Sequence, residues 1–210
     1  MMTRFLVWAM SLLAPVAAAA HPHVFVEAGL RLIVDGSGRL EAVEVGWTYD
    51  ELYSLLILED KGLDADGDGV LNSSEQAALA GFDMNWVADF AGDLFLQKGD
   101  AALELGRPVP LSTELGKDGR ITTWHRRAVG VPAQDVVVQA YDPTFYTAYD
   151  LGGGVEVIGG CVADITPVDL NAAYSALEEI LYGMPQAEAE VAFPEVGQKF
   201  ADTVVLRCGQ

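Results

Sequence analysis

Asp64, Asp66, Asp68, Asn72 and Glu75 stand first, third, fifth, ninth and twelfth in the stretch DADGDGVLNSSE. That spacing suits a calcium ion. Calcium is a hard cation that takes about six to eight oxygens, and an EF-hand loop supplies them from those places plus a backbone carbonyl at the seventh. The seventh residue is Val70. Gly69 falls sixth, where the chain turns through a left-handed conformation that glycine adopts without strain. Asn72 offers an amide oxygen or a bridging water, and Glu75 both carboxylate oxygens. Leu71, at the eighth place, is the apolar residue that would anchor the loop to a core. Four carboxylates this close repel one another without a cation between them, which favours bound Ca2+ over a solvated acidic turn. Gly62 interrupts the entering helix two residues ahead, and no second loop of the pattern occurs. Switching hands work as pairs, so the expectation is a structural calcium site.

A second donor set depends on where the mature chain begins. Arg4, the apolar run Phe5 to Val16 and the small residues Ala17 to Ala20 have the order of a signal peptide covering residues 1–20. That run is too short for a mature membrane span, and no other stretch approaches the ~20 apolar residues a spanning helix needs. The expected location is the periplasm or the exterior. Cleavage after Ala20 would leave His21 with a free amine beside its imidazole. Pro22 keeps its neighbour extended, so His21 and His23 point to one side, with Glu27 further along. An amine and two imidazoles suit zinc, copper or nickel. The square-planar amino-terminal copper motif needs a backbone N–H on the second residue, which Pro22 lacks. A solvated terminus of no consequence stays open beside this reading. His125 lies among Trp124, Arg126 and Arg127, whose charges disfavour a metal, and reads as a structural or surface residue.

Composition excludes whole classes. Hydrophobic residues make up 51% and charged residues 20% of the 210, enough apolar material for a core. Twelve Lys and Arg against 31 Asp and Glu give a net charge of -19, which repels nucleic acid and attracts cations. No GxSxG elbow or HExxH helix occurs, and Gly152 to Gly154 lack the following Lys and Ser/Thr of a phosphate-binding loop. The protein is not expected to be an enzyme. Cys161 and Cys208, the two cysteines, are expected to pair in an oxidising compartment, a link that stabilises by roughly 4 kcal/mol in the chain-entropy model. Zinc suits them less, because neither has a CxxC partner.

These residues need elements to hold them. Apolar residues alternate from Val24 to Val34, turn residues follow at Asp35 to Gly38, and Leu40 to Tyr49 returns with Val43, Val45, Trp47 and Tyr49 inward: a hairpin. Asp50 is placed to cap a helix from Glu51 to Asp60, and an exit helix runs from Ser73 to Ala80. Further strands are expected at 93–97, 102–105, 121–129, 135–141, 155–164 and 203–208. Thr166 followed by Pro167 and Asp169 reads as the start of a helix that Gly183 ends, with Leu170, Tyr174, Leu177 and Leu181 on one face. The expected fold is one α+β domain over 21–210: a mainly antiparallel sheet, an EF-hand-like helix-loop-helix insertion at 50–81, and one helix before the last strand.

His21-Pro22-His23-Val24-Phe25 after a leader, Trp47-Thr48-Tyr49-Asp50-Glu51, the Asp-rich loop, Tyr141-Asp142-Pro143-Thr144-Phe145-Tyr146, and Phe200-Ala201-Asp202 with Cys208 together resemble a family of periplasmic proteins named as a domain of unknown function. The resemblance implies the periplasmic component of a transport system that works with inner-membrane permeases of the nickel, cobalt and zinc type. It implies metal handling, and the residues above permit it. The expected function is therefore a calcium-binding accessory protein for transition-metal transport. A calcium-stabilised structural or interaction module, and a copper enzyme using His21 as its amino-terminal ligand, are the alternatives.

Overall fold

A computed structural model describes residues 22–88, 90–185 and 193–209; the leader and His21 lie outside them. Strand β1 (Val24–Val34) buries its alternate apolar residues. The carboxylate of Asp35 accepts from the backbone N–H of Ser37 at 2.8 Å and of Arg39 at 3.0 Å, which closes the turn into β2 (Arg39–Tyr49). The hairpin register runs from Val26 opposite Tyr49 to Leu32 opposite Val43. Helices α1 (Glu51–Lys61) and α2 (Ser73–Leu79) follow. Then come β3 (Leu94–Lys98), β4 (Ala101–Leu103), β5 (Val109–Leu115), β6 (Ile121–Pro132), β7 (Val136–Ala140), β8 (Thr147–Asp150), β9 (Val155–Ile158) and β10 (Cys161–Thr166). Helix α3 (Leu170–Gly183), a 3-10 turn at Gly197–Phe200 and β11 (Thr203–Cys208) complete the described chain.

The expected α+β fold is corrected. Eleven strands in two sheets dominate the described residues, and the three α-helices are accessories to them, so the protein is mostly β. One sheet has the order β5-β6-β2-β1-β8, with β9 also on β1; the other is β10-β11-β7-β3-β4. Nor is the first sheet wholly antiparallel, because β8 and β9 pair with β1 in parallel. Two strands escaped the sequence reading for physical reasons. Strand β5 is largely exposed and contains Pro110, so it shows no buried alternation. Strand β8 has four residues, too few to display a period. The helix-loop-helix stretch exists as α1 and the 7-residue α2, but it is an appendage between β2 and β3.

A common core lies between the sheets, with Leu30, Leu32, Val43 and Val45 from one meeting Leu96, Val138 and Leu206 from the other. Helix α3 covers a separate small cluster around Phe145, Leu177 and Phe200. Its cap is Asp169, whose carboxylate accepts from the Ala172 N–H at 3.1 Å. Thr166 does not cap it, because that residue still pairs with Thr203 in the β10–β11 ladder. Cys161 and Cys208 face each other across the same ladder and form the expected disulfide, with an S–S distance of 2.01 Å. Among the described residues no helix is long and apolar enough to cross a membrane.

Where β8 gives way to β9, Gly153 passes so close to β1 that a Cβ there would lie 2.7 Å from the Gly29 nitrogen. Backbone cannot step aside as a side-chain tip can. Gly153→Ala is expected to cost about 1–3 kcal/mol, whereas Gly160→Ala, which meets open space, should cost less than about 0.5 kcal/mol. Urea denaturation of the two variants measures the difference.

Candidate functional site

Helix α1 stops at Gly62, which takes the left-handed conformation at φ 63° and donates to Glu59 O at 3.0 Å. Leu63 is buried and fixes the entrance of the loop. Asp64 is itself left-handed at φ 51°, a conformation aspartate tolerates better than most residues. Carboxylate oxygens of Asp64, Asp66 and Asp68 then come within 4.8 Å of one another. Two backbone donors help to hold them: the Gly69 N–H reaches Asp64 at 3.1 Å and the Val70 N–H reaches Asp68 at 2.8 Å.

Glu75 stands apart from that trio. Its Oε1 accepts from the Asp64 N–H at 3.2 Å and its Oε2 from the Asn72 N–H at 2.9 Å. Asn72 Oδ1 in turn accepts from the N–H groups of Ser74 and Glu75 at 2.9 and 3.1 Å, so the two side chains form a capping box at the start of α2. Val70 keeps its side chain in solvent, and Leu71 packs against the main core.

His23 is exposed at the start of β1. Its N–H donates to Tyr146 O at 2.8 Å, and its ring lies 4.8 Å from the Tyr146 ring. An open depression beside it is lined by Glu27, Asp50, Glu51 and Asp150, and three of these carboxylates are already engaged. Glu27 pairs with Arg120 at 2.9 Å, Asp50 caps α1 and holds the Phe25 N–H, and Asp150 accepts from the Gly152 N–H at 2.7 Å. Among the described residues His23 joins no cluster of three ligands.

His125 resolves as a core residue. It is fully buried on β6, with its ring 4.7 Å from Trp47 and 5.3 Å from Trp86. Among the described residues neither ring nitrogen has a hydrogen-bond partner. Burial, reinforced by the charge of Arg127, lowers its pKa to about 3, so the ring is neutral across the physiological range.

One constellation was not expected from the sequence. Tyr49, Val26 and Tyr149 form a row across β2, β1 and β8 at one end of the first sheet. The Tyr49 hydroxyl donates to Asp83 Oδ2 at 2.9 Å, and Thr123 donates to the same oxygen at 2.6 Å. Tyr149 donates to Asp93 Oδ2 at 2.9 Å. Burial pushes both carboxyls up, Asp93 to about 7, and holds both phenols well above their ordinary value. These groups line a cleft of about 720 Å³. Tyr49 was legible as an inward residue of the hairpin, but Asp83 lies in a connection with no period to mark it.

A family model described as "protein of unknown function (DUF1007)" matches residues 6–208. The chain belongs to that family. No curated protein matches it. The match runs through both sheets and both candidate sites, so the carboxylate loop and the tyrosine row lie within the region that the DUF1007 family model covers.

Asp93 has a folded pKa above its unfolded value, so its contribution to stability is full below about pH 4 and is lost as pH rises toward about 7. Asp93→Asn stays neutral and can still accept from Tyr149. The variant is expected to melt higher than the parent at pH 8, by up to roughly 4 kcal/mol, and to lose that advantage by about pH 4. Thermal melts at the two pH values check it.

Proposed function

We propose that this DUF1007 protein is an extracytoplasmic accessory protein for zinc, nickel or cobalt transport that holds calcium in the Asp64–Glu75 loop. Convergence of the Asp64, Asp66 and Asp68 carboxylates within 4.8 Å carries the calcium half of the reading. Three anions brought together, two of them held by backbone N–H groups, favour a cation of matching hardness, and oxygen-only donors favour calcium over zinc or copper. Glu75 and Asn72 add their oxygens by exchanging capping bonds for the ion. Support for the transport half is the resemblance drawn above, the surplus of acidic groups that concentrates cations, and His23 in solvent next to the amino terminus. In this reading His21 and His23 bind zinc, copper or nickel and present it to an inner-membrane permease.

A second reading, a calcium-stabilised interaction module without a transport role, is favoured by one observation. Leu52, Leu55 and Leu56 give α1 an exposed apolar face.

Calcium titration should raise the melting temperature, with a Kd of roughly 10⁻⁴ to 10⁻³ M. Asp66 is the clean position to test, because its side chain accepts no hydrogen bond among the described residues. Asp66→Asn should weaken calcium binding by about tenfold or more while leaving the apo protein's stability unchanged within ~0.5 kcal/mol. Absence of any calcium heat in the parent would sink the reading.

The terminal site makes an independent prediction. Processed protein, its amino terminus verified by intact mass, should bind zinc, copper or nickel. Binding should fall when His23 is replaced by alanine, vanish when His21 and His23 are both replaced, and persist in Asp66→Asn. Equal binding after both histidines are removed would leave the transition metal without this site.

A further inference from the structure

We propose that the cleft at the tyrosine end of the sandwich binds a small organic cation, an ammonium-bearing molecule seated against aromatic ring faces between Asp83 and Asp93. The walls come from four parts of the chain: Trp47 and Tyr49 of β2, Tyr53 of α1, Phe82 of the following connection, and Tyr146 and Tyr149 at β8. Aromatic faces carry negative potential and attract ammonium groups by about 0.5–2 kcal/mol each, more when water is displaced. Among the described residues every acid or base lining the cleft apart from the tyrosines is acidic: Asp83, Asp93, Asp142 and Glu195, with no lysine, arginine or histidine. A pocket of rings and carboxylates with no cation of its own selects positive charge.

Arrangement of the carboxylates decides between a metal ion and an organic cation. A bare divalent ion draws its oxygens into one tight shell. Among the described residues such convergence occurs at Asp64, Asp66 and Asp68, and the cleft carboxylates do not share it. They are held by separate hydroxyls, Asp83 by Tyr49 and Thr123 and Asp93 by Tyr149. Charge spread over a cleft of about 720 Å³ fits a ligand that is itself extended.

Two further features point the same way. Among the described residues Asp83 Oδ1 is closed off from solvent and has no hydrogen-bond partner, while the Tyr49 and Thr123 hydroxyls hold the other oxygen. Asp93, which lines the cleft, and Phe145, the buried neighbour of Tyr146, both adopt positive φ, at 48° and 56°. Strain of that kind persists where the surrounding structure fixes a residue in position, and it concentrates at ligand sites. Here it fixes the Asp93 carboxyl under the Tyr149 hydroxyl and places Tyr146 on the rim.

Binding should depend on pH. Asp93 faces Tyr149 from β8, Asp142 from the segment after β7, and Asp83, Tyr49 and Glu195 across the cleft, while α1 contributes Tyr53 and Ile57 to the lining and, outside it, Lys61, whose Nζ lies 6.0 Å from the Phe82 ring. A bound cation favours the ionised carboxylate, so affinity rises between pH 6 and pH 8.

Titration calorimetry and tryptophan fluorescence of the folded protein in EDTA, with choline, putrescine and the neutral choline isostere 3,3-dimethylbutan-1-ol, test the proposal. Saturable binding of choline or putrescine at least about tenfold tighter than the isostere is expected. Tighter putrescine assigns the site to primary ammonium, and tighter choline to quaternary ammonium. Asp93→Asn should weaken binding by about tenfold and flatten its pH dependence, and its expected gain in stability at pH 8 separates lost binding from lost folding. Tyr53→Leu keeps an apolar wall without a π face and should weaken binding severalfold. Asp66→Asn should leave it unchanged, so failure here and failure of the metal reading are distinguishable. Equal affinity for the neutral isostere, no binding of either cation at 10 mM, or unaltered binding in Asp93→Asn would each overturn it.

Discussion

Strand β1 has hydrogen-bonding partners on both edges, and most of the architecture follows from supplying them. One edge takes β2 over almost its full length. The other is shared by two short parallel strands, β8 against Val24 to Glu27 and β9 against Leu30 to Ile33. Backbone polar groups in a buried strand must be paired, and both short strands run along one edge of β1, so the chain between them passes close beside Ala28 and Gly29. Gly29 and Gly153 make that approach sterically possible, and the Leu30 N–H closes it by donating to Gly154 O at 2.9 Å. Because β8 is parallel and in register with the start of β1, Tyr149 is brought level with Tyr49 two strands away.

Both sites hang on the single segment between β2 and β3. Asp50 anchors its beginning by accepting from Phe25 of β1 and Tyr53 of α1. The acidic loop then joins α1 to α2, and α2 is fastened to the sheet where Gln76 donates to Thr113 O and the Gly81 N–H donates to the Thr113 hydroxyl. Asp83 follows two residues later and reaches Tyr49. An ion that tightens the loop therefore also steadies α2 and the connection that delivers Asp83.

How much of this the sequence revealed depended on whether the signal was local. The first hairpin, the Asp50 cap, the end of α1 at Gly62 and the last strand were legible because alternation and caps are read within a few residues. His125 was read as structural or surface, and the pleat decides for the core. Arg126 and Arg127 are its sequence neighbours, but successive strand residues face opposite ways. Arg126 turns out to Glu41 and Glu44, while Arg127 turns inward over Trp86 and donates to the carbonyls of Ala91, Leu105 and Gly106. The mostly-β balance was missed for a related reason: β5 and β8 owe their existence to partners far away in the chain. The acidic loop was read residue by residue, but the capping box that engages Glu75 and Asn72 is a property of the folded turn.

The disulfide gives the last part of the chain a topology of its own. Cys161 and Cys208 are 47 residues apart in sequence and directly opposite in the ladder, so the backbone between them is a closed covalent ring containing β10, α3 and nearly all of β11. A single peptide-bond scission inside that ring opens it without releasing either fragment, and β11 keeps its pairing with β7. Strand β11 is therefore secured twice, by hydrogen bonds and by a link that survives a cut.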